Sequence, residues 1–168
     1  MKKNKISKNW INKQRRDIYV RKSKLEGYRS RAIYKLKEID DKFKIIRNGI
    51  KVVDLGSAPG SWSQYLSEKS KNSKILSIDL KNIEKIHNVT HLIGDFLDEK
   101  NQTIISNFFE NKLDLIVSDM AVNTTGNKNL DAISTGELSI NAMEFSVRNL
   151  KKDGSFVSKI FMGSTFNE

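Results

Sequence analysis

From Ser30 onward the apolar residues fall into two alternating rhythms. Ala32, Ile33, Leu36, Ile39 and Phe43 recur at helical spacing, with Arg31, Lys35 and Lys37 around the rim. Ser30 supplies a candidate N-cap, and Arg47-Asn48-Gly49 marks the turn that follows. Short apolar runs then alternate with longer amphipathic stretches. Strands are expected at Lys51–Asp54, Ile75–Asp79, Val89–Gly94, Leu113–Asp119 and Ser155–Phe161. Helices are expected at about Trp62–Lys69, Glu99–Phe109 and Thr135–Leu150, the last with Leu138, Ala142, Phe145 and Leu150 on one stripe. Lys152-Asp153-Gly154 is read as the turn into the fifth strand. Strands alternating with helices predict an α/β, mostly parallel, doubly wound sheet. Upstream, residues 1–9 are polar and read as disordered, and residues 10–24 as a charged helix.

The densest chemistry lies at the end of the first strand, in Val52-Val53-Asp54-Leu55-Gly56-Ser57-Ala58-Pro59-Gly60-Ser61-Trp62-Ser63-Gln64. A strand running into a Gly/Pro turn and then a helix is how an α/β sheet makes a nucleotide-type pocket. The plain alternative is an ordinary turn between two elements. Gly56 and Gly60 permit a sharp turn and close backbone approach. No Gly-Lys-Ser/Thr follows, and the spacing is not G-x-G-x-x-G, so neither common phosphate motif fits. Asp54 is expected at the pocket mouth, where a carboxylate suits a cationic ligand; S-adenosylmethionine carries both an ammonium and a sulfonium. The strands also end in Asp79 and Asp119, and a further segment in Gly94-Asp95. Asp79 lies 19 residues past Gly60, about where an acid meets ribose hydroxyls. One such Asp is commonly a cap or turn residue, and capping remains open for Asp95; four in succession favour a shared crevice.

Composition narrows the picture. A chain of 168 residues suits one domain. It has no long apolar run and no signal-like segment near Met1, so no membrane association is expected. With no cysteine, disulfides and thiol chemistry are excluded, in keeping with a cytoplasmic protein. His87 and His91 are four apart in a stretch that reads partly as strand, and no metal is expected. The net charge of +10 is lopsided. Residues 1–51 hold 18 Lys/Arg against 5 Asp/Glu, and the remainder 12 against 15. Lys13, Arg15, Arg16, Arg21, Lys22, Lys24, Arg29 and Arg31, with Trp10, Tyr19, Tyr28 and Tyr34 interspersed, make a footprint for nucleic acid. A solvated Lys-rich tail is the alternative, since Lys outnumbers Arg 23 to 7.

These residues together resemble the FtsJ/RrmJ-type ribosomal RNA 2′-O-methyltransferases. The resemblance rests on Asp54 through Gln64. It extends to Ser30-Arg31-Ala32-Ile33-Tyr34-Lys35-Leu36, Ile93-Gly94-Asp95-Phe96, Val117-Ser118-Asp119-Met120-Ala121 and Gly154 through Phe161, covering about residues 7–168. It implies a Rossmann-like S-adenosylmethionine-dependent methyltransferase fold over residues 30–168, behind a basic arm of residues 1–29. It implies cofactor binding by Gly60, Trp62, Asp79, Asp95 and Asp119. Three of the four members of the family's Lys-Asp-Lys-Glu tetrad fall on Lys35, Asp119 and Lys159. The implied substrate is a uridine ribose 2′-hydroxyl in 23S rRNA of the 50S ribosomal subunit, and a monomer is expected.

Lys159 is then the candidate base. A free lysine is protonated at neutral pH, so burial or a neighbouring cation such as Lys35 must lower its affinity for the proton. Asp119 would orient Lys159. An unpaired charge in an apolar strand is costly, which sets Lys159 apart from a surface lysine. The sequence departs from the family at Val122, where the family has Pro, and at Met162-Gly163-Ser164-Thr165, where it is Gly-rich. No residue matches the tetrad Glu, and Phe166-Asn167-Glu168 resembles the start of a further helix. The sequence is therefore read as C-terminally truncated, with the last strands missing. A catalytically impaired RNA- or ribosome-binding module that retains cofactor affinity is the alternative function, and a small-molecule methyltransferase fits the basic arm poorly.

Overall fold

The computed structural model describes residues 17–163. The elements in chain order are α1 (Ile18–Leu25), α2 (Ile33–Phe43), β1 (Lys51–Leu55), α3 (Ser61–Lys69), β2 (Lys74–Asp79), β3 (Val89–Ile93), α4 (Glu99–Phe109), β4 (Leu113–Ser118), α5 (Lys128–Asn149) and β5 (Leu150–Ser158). All four strand pairings are parallel, and the strand order is β3-β2-β1-β4-β5. The expected α/β doubly wound sheet is thus observed, with β1 at its centre. Residues 1–16 and 164–168 lie outside the described residues, and with them Trp10, Lys13, Arg15, Arg16 and the final Phe166-Asn167-Glu168.

Successive side chains on a strand point to opposite faces, and this alternation splits the core in two. Val52, Ile75, Leu115 and Val117 face one way, onto Ile33 and Leu36 of α2 and Trp62, Tyr65 and Leu66 of α3. Val53, Leu76, Ile78 and Ile116 face the other way, onto Ile105 and Phe109 of α4 and Ala142 and Phe145 of α5. Central strands covered on both faces read as continuous apolar runs. Each fully enclosed side chain, such as Phe109 or Phe145, contributes about 1.5–3 kcal/mol over exposure.

Several boundaries differ from expectation. Ser30 does not cap α2. Its Oγ accepts from the Ala32 N–H in a tight turn that precedes the helix, and the N-cap position is Ala32 with no side-chain bond. Phe43 is 62% exposed, and the buried position at that end of α2 is Asp40 instead. The Asp40 carboxylate accepts from Ile46 N–H and the Tyr65 hydroxyl. Helix α5 starts at Lys128 rather than Thr135, because Asn127 accepts from the Asn129 and Leu130 amides and caps it earlier. The Lys152-Asp153-Gly154 turn is absorbed into β5 as a bulge: Leu150 pairs with Leu113, and the next pair is Ser155 with Leu115. Gly154 fits closely there: a Cβ would lie 3.0 Å from Leu150 Cδ2 and 3.1 Å from the Lys151 carbonyl. Strand β5 ends at Ser158, so Lys159 stands just beyond it rather than within it.

Candidate active site

The carboxyl ends of β1, β2 and β4 open onto a crevice of about 510 Å³, at the point where chain connections diverge to either side of β1. Gly56 and Ala58 after β1, Asp79 at the end of β2, Asp95 after β3, and Asp119 and Met120 after β4 all line it. Gly56 has φ of +74°, and a Cβ on it would lie 2.5 Å from Met120 Cγ and 2.8 Å from Met120 Cα. The two strand-end loops can meet only because that side chain is missing. The Ala58–Pro59 peptide is cis.

Each carboxylate has a distinct setting. Asp79 accepts from the Ala58 amide at 2.9 Å and the Lys81 amide at 2.9 Å, tying its own loop to the β1 turn. Asp95 is exposed and accepts from the Leu97 amide at 2.9 Å. The capping role left open for it is taken by Asp98, which caps α4. Asp119 meets Lys159: the ammonium lies 2.8 Å from Asp119 Oδ1 and donates to the Asp119 backbone carbonyl at 2.6 Å. Lys159 N–H donates to Ser118 O at 2.9 Å, which fixes the lysine beside the β4 terminus. The ring of Phe161 lies 5.5 Å from the same ammonium. Lys35, in the first turn of α2, reaches the same Oδ1 at 3.8 Å but is itself 56% exposed. Three residues from α2, the β4 end and the β5 end therefore converge at one oxygen.

Asp54 is not at the pocket mouth. Strand alternation turns it toward α3 together with Val52, and it is 1% exposed. Ser63 Oγ donates to its Oδ2 at 2.6 Å, while Oδ1 has no partner. Burial pushes its carboxyl up to about 7; the negative Asp119 and Asp79 act in the same direction, and the Ser63 bonds oppose them. Trp62 likewise turns inward: its indole is 3% exposed and donates to Ala32 O at 2.7 Å. Any contact from Trp62 to a ligand falls to its backbone, in the first turn of α3, where amides lack intrahelical acceptors. Gly60, with φ of +102°, forms the N-cap of that helix.

The basic footprint shrinks on folding. Tyr34 is buried between Tyr19 and Tyr28, with Lys22 5.0 Å from its ring. Its hydroxyl donates to Glu26, and burial together with that carboxylate pushes the phenol up to about 12. Tyr34 and Tyr28 are thus packing residues rather than stacking platforms, whereas Tyr19 stays 45% exposed. Arg31 pairs with Asp17, and Arg29 is occupied by backbone carbonyls. Arg21, Lys22 and Lys24 remain exposed on α1. Sequence reasoning missed the bond from Ser63 to Asp54 and the role of Asp79 as acceptor for Ala58. Their three-dimensional pairing had no sequence signal beyond the alternation along β1. Among the described residues no group of three His, Cys, Asp or Glu could hold a metal ion, and no helix is long and apolar enough to cross a membrane.

Residues 28–168 match the model of the FtsJ-like methyltransferases. The chain belongs to the FtsJ-like methyltransferase family. Among its relatives is the ribosomal RNA large subunit methyltransferase E of Pelagibacter ubique (strain HTCC1062), 61% identical over the whole of this chain and 83% of that protein. The enzyme of the same name from Rickettsia akari (strain Hartford) is 47% identical, over 96% of this chain and 74% of its own. A crystal structure from Plasmodium falciparum, described as a ribosomal RNA methyltransferase, superposes with a TM-score of 0.72 at 34% identity. That match covers 83% of this chain and 82% of the other. The parallel sheet and strand-end crevice are accordingly those of an FtsJ-like, Rossmann-like methyltransferase domain.

Proposed function

We propose that this FtsJ-like chain transfers a methyl group from S-adenosylmethionine to a uridine ribose 2′-hydroxyl in 23S rRNA of the large ribosomal subunit. The observation that carries the reading is the convergence of Lys159 and Lys35 on Asp119 at the edge of the crevice. The setting proposed is cytoplasmic, with the enzyme acting as a monomer.

The residues present fit the cofactor. The crevice lies within the roughly 300–1,000 Å³ usual for small-molecule sites, and its three carboxylates, Asp79, Asp95 and Asp119, outnumber its one cation, Lys81, which suits a ligand with cationic centres and ribose hydroxyls. Asp79, Asp95, Asp119 and the backbone at Gly60 and Trp62 would hold it. When bound, it supplies a methyl group on a positively charged sulfur that is ready for nucleophilic attack.

The protein's own work is to prepare the hydroxyl. As a neutral amine Lys159 would keep the hydrogen bond it donates to the Asp119 carbonyl, with Asp119 Oδ1 held 2.8 Å from Nζ as a charge contact without hydrogen-bond geometry. The amine lone pair then remains for the ribose O–H. Lys159 Nζ would take the hydroxyl proton, while the bound cofactor would give up its methyl group to the ribose oxygen and keep the sulfur–carbon electron pair. General-base assistance of this kind contributes about 10²–10⁴-fold. Lys35 adds positive charge where the oxygen becomes electron-rich. Arg21, Lys22 and Lys24 on α1, with residues 1–16, would bind the RNA backbone as a basic arm.

The test is transfer of isotope label from S-adenosylmethionine to large subunits lacking ribose methylation, with Lys159→Ala alongside. Label in the 2′-O-methyluridine fraction of 23S rRNA, lost in the variant, supports the reading. Cofactor binding without label transfer would replace it with a binding module.

A further inference from the structure

We propose that Arg29 is a positioning residue for the cofactor turn and not a contact for nucleic acid. It clamps the β1 loop to the β2–β3 loop through their backbone carbonyls. The inference rests on the reading that the crevice binds S-adenosylmethionine.

Arg29 lies in the half-buried stretch between α1 and α2. One guanidinium nitrogen, Nη1, donates to Pro59 O at 3.2 Å and to Glu84 O at 2.8 Å. The other, Nη2, donates to Lys85 O at 3.2 Å. Pro59 belongs to the turn after β1, and Glu84 and Lys85 to the segment that follows Asp79 and Lys81. The planar fork of Arg can satisfy acceptors from both loops at once, which the single ammonium of Lys cannot reproduce.

The contact with Pro59 has a consequence through peptide geometry. The Pro59 carbonyl and the Gly60 N–H share one plane and point in opposite directions. Arg29 holds the carbonyl from one side, and Ser57 O accepts from the Gly60 N–H at 2.6 Å on the other. That peptide is fixed at both ends, immediately before the first turn of α3. Gly60 is also shaped to the arginine: a Cβ there would lie 2.9 Å from Arg29 Nη1 and 3.3 Å from its Cδ.

The neighbouring residues secure Arg29 in turn. Gln64 of α3 accepts from the Arg29 N–H at 3.3 Å and donates to Gly27 O at 3.2 Å. Ser30 and Ser61 hydroxyls bond at 2.8 Å, and the Trp62 indole grips Ala32 O. The stretch that leads away from the basic helix is therefore stitched along the back of the cofactor turn, with the guanidinium as its tip.

The test is calorimetric titration of the full chain with S-adenosylhomocysteine and S-adenosylmethionine, comparing wild type, Arg29→Lys, Arg29→Ala and Arg21→Ala. Binding of an rRNA fragment over a salt series is measured on the same proteins. Arg29→Ala is expected to weaken cofactor affinity about tenfold or more, because three charge-assisted bonds are lost, with Arg29→Lys intermediate and the salt slope for RNA unchanged. Arg21→Ala is expected to do the reverse. A variant that merely misfolds lowers the bound stoichiometry and leaves the affinity of the folded fraction intact, so an Arg29 effect confined to stoichiometry overturns the proposal. Unchanged cofactor affinity in both Arg29 variants, or a lowered RNA salt slope, also overturns it. No cofactor binding by wild type would remove the reading beneath it, a result distinct from a defect limited to Arg29.

Discussion

Ser63 donates its hydroxyl to the Asp54 carboxyl at 2.6 Å, and both side chains are closed off from solvent. The pair sits beneath the cofactor turn and joins β1 to α3. Burial lifts the Asp54 carboxyl from its ordinary 3.8 to about 7. A group whose folded affinity for a proton is raised stabilises the fold fully below its unfolded value, and that contribution is lost as pH rises through the folded value. Asp54 should therefore contribute stability near pH 4 and progressively less toward pH 7. Asp54→Asn keeps the shape and cannot ionise. Denaturant unfolding at pH 5 and pH 8 should show the variant losing less stability than wild type between the two, by on the order of a few kcal/mol at most. Equal losses would show that Asp54 does not carry this pH dependence.

Lys159 and Asp119 make a sharper kinetic case. Lys159→Ala removes the proposed base and should lower the rate of methyl transfer by about 10²–10⁴-fold. Lys159→Arg should not restore it, because a guanidinium does not give up its proton at working pH. Asp119→Asn should cost a comparable factor, since the amide cannot replace the carboxylate that orients the lysine. Lys35→Ala should cost less, as its ammonium is 3.8 Å away and largely exposed. Single-turnover rates at saturating cofactor separate these effects; equal losses at Lys35 and Lys159 would contradict the assignment.

Most of this architecture was legible in the chain because its signals are local. Apolar runs such as Val52-Val53 and Leu115-Ile116-Val117 mark strands buried on both faces, and the Gly56–Gly60 turn marks the crevice. Lys159 and Asp119 were legible through family resemblance and strand-end position, and the structure brings them to 2.8 Å. The misreadings came where a residue's direction depends on a distant partner. Asp54 was expected at the pocket mouth, but strand alternation sends it under α3. Arg29 looked like one more basic residue of the arm, yet its acceptors lie at positions 59, 84 and 85. Helix starts moved for a related reason: Asn127 at α5 captures two amides that apolar spacing alone does not reveal.

The exposed charges of α1 allow a quantitative test of the basic arm. Neutralising a cation that contacts phosphate reduces the number of counterions released on binding, by about 0.7–0.9 in the logarithmic salt slope for each contact. Lys24→Ala should lower the slope for rRNA binding, and Lys22→Ala should lower it less, because Lys22 already faces Glu26 at 3.8 Å and the Tyr34 ring at 5.0 Å. Arg31→Ala should lower it less, because Arg31 is paired with Asp17 in the folded chain. Filter binding across a salt series reads this directly, and a flat response in all three would place the RNA elsewhere.

Gly56 offers the strictest steric test of the crevice. Its φ of +74° strains any residue with a side chain, and a Cβ would press 2.5 Å from Met120 Cγ and 2.8 Å from Met120 Cα. The side chain of Met120 can move, but its Cα belongs to the loop that carries Asp119. Gly56→Ala should thus separate the β1 and β4 loops, at a cost of about 1–3 kcal/mol in stability for the strained backbone. The same displacement should shift Asp119 relative to the cofactor-binding residues, weakening cofactor affinity and methyl transfer together. Met120→Ala removes the flexible half of the clash but not the backbone half, so combining it with Gly56→Ala should recover only part of the loss. Full recovery in the double variant, read by unfolding and by cofactor titration, would mean that side-chain crowding alone, rather than loop geometry, makes glycine necessary at this position.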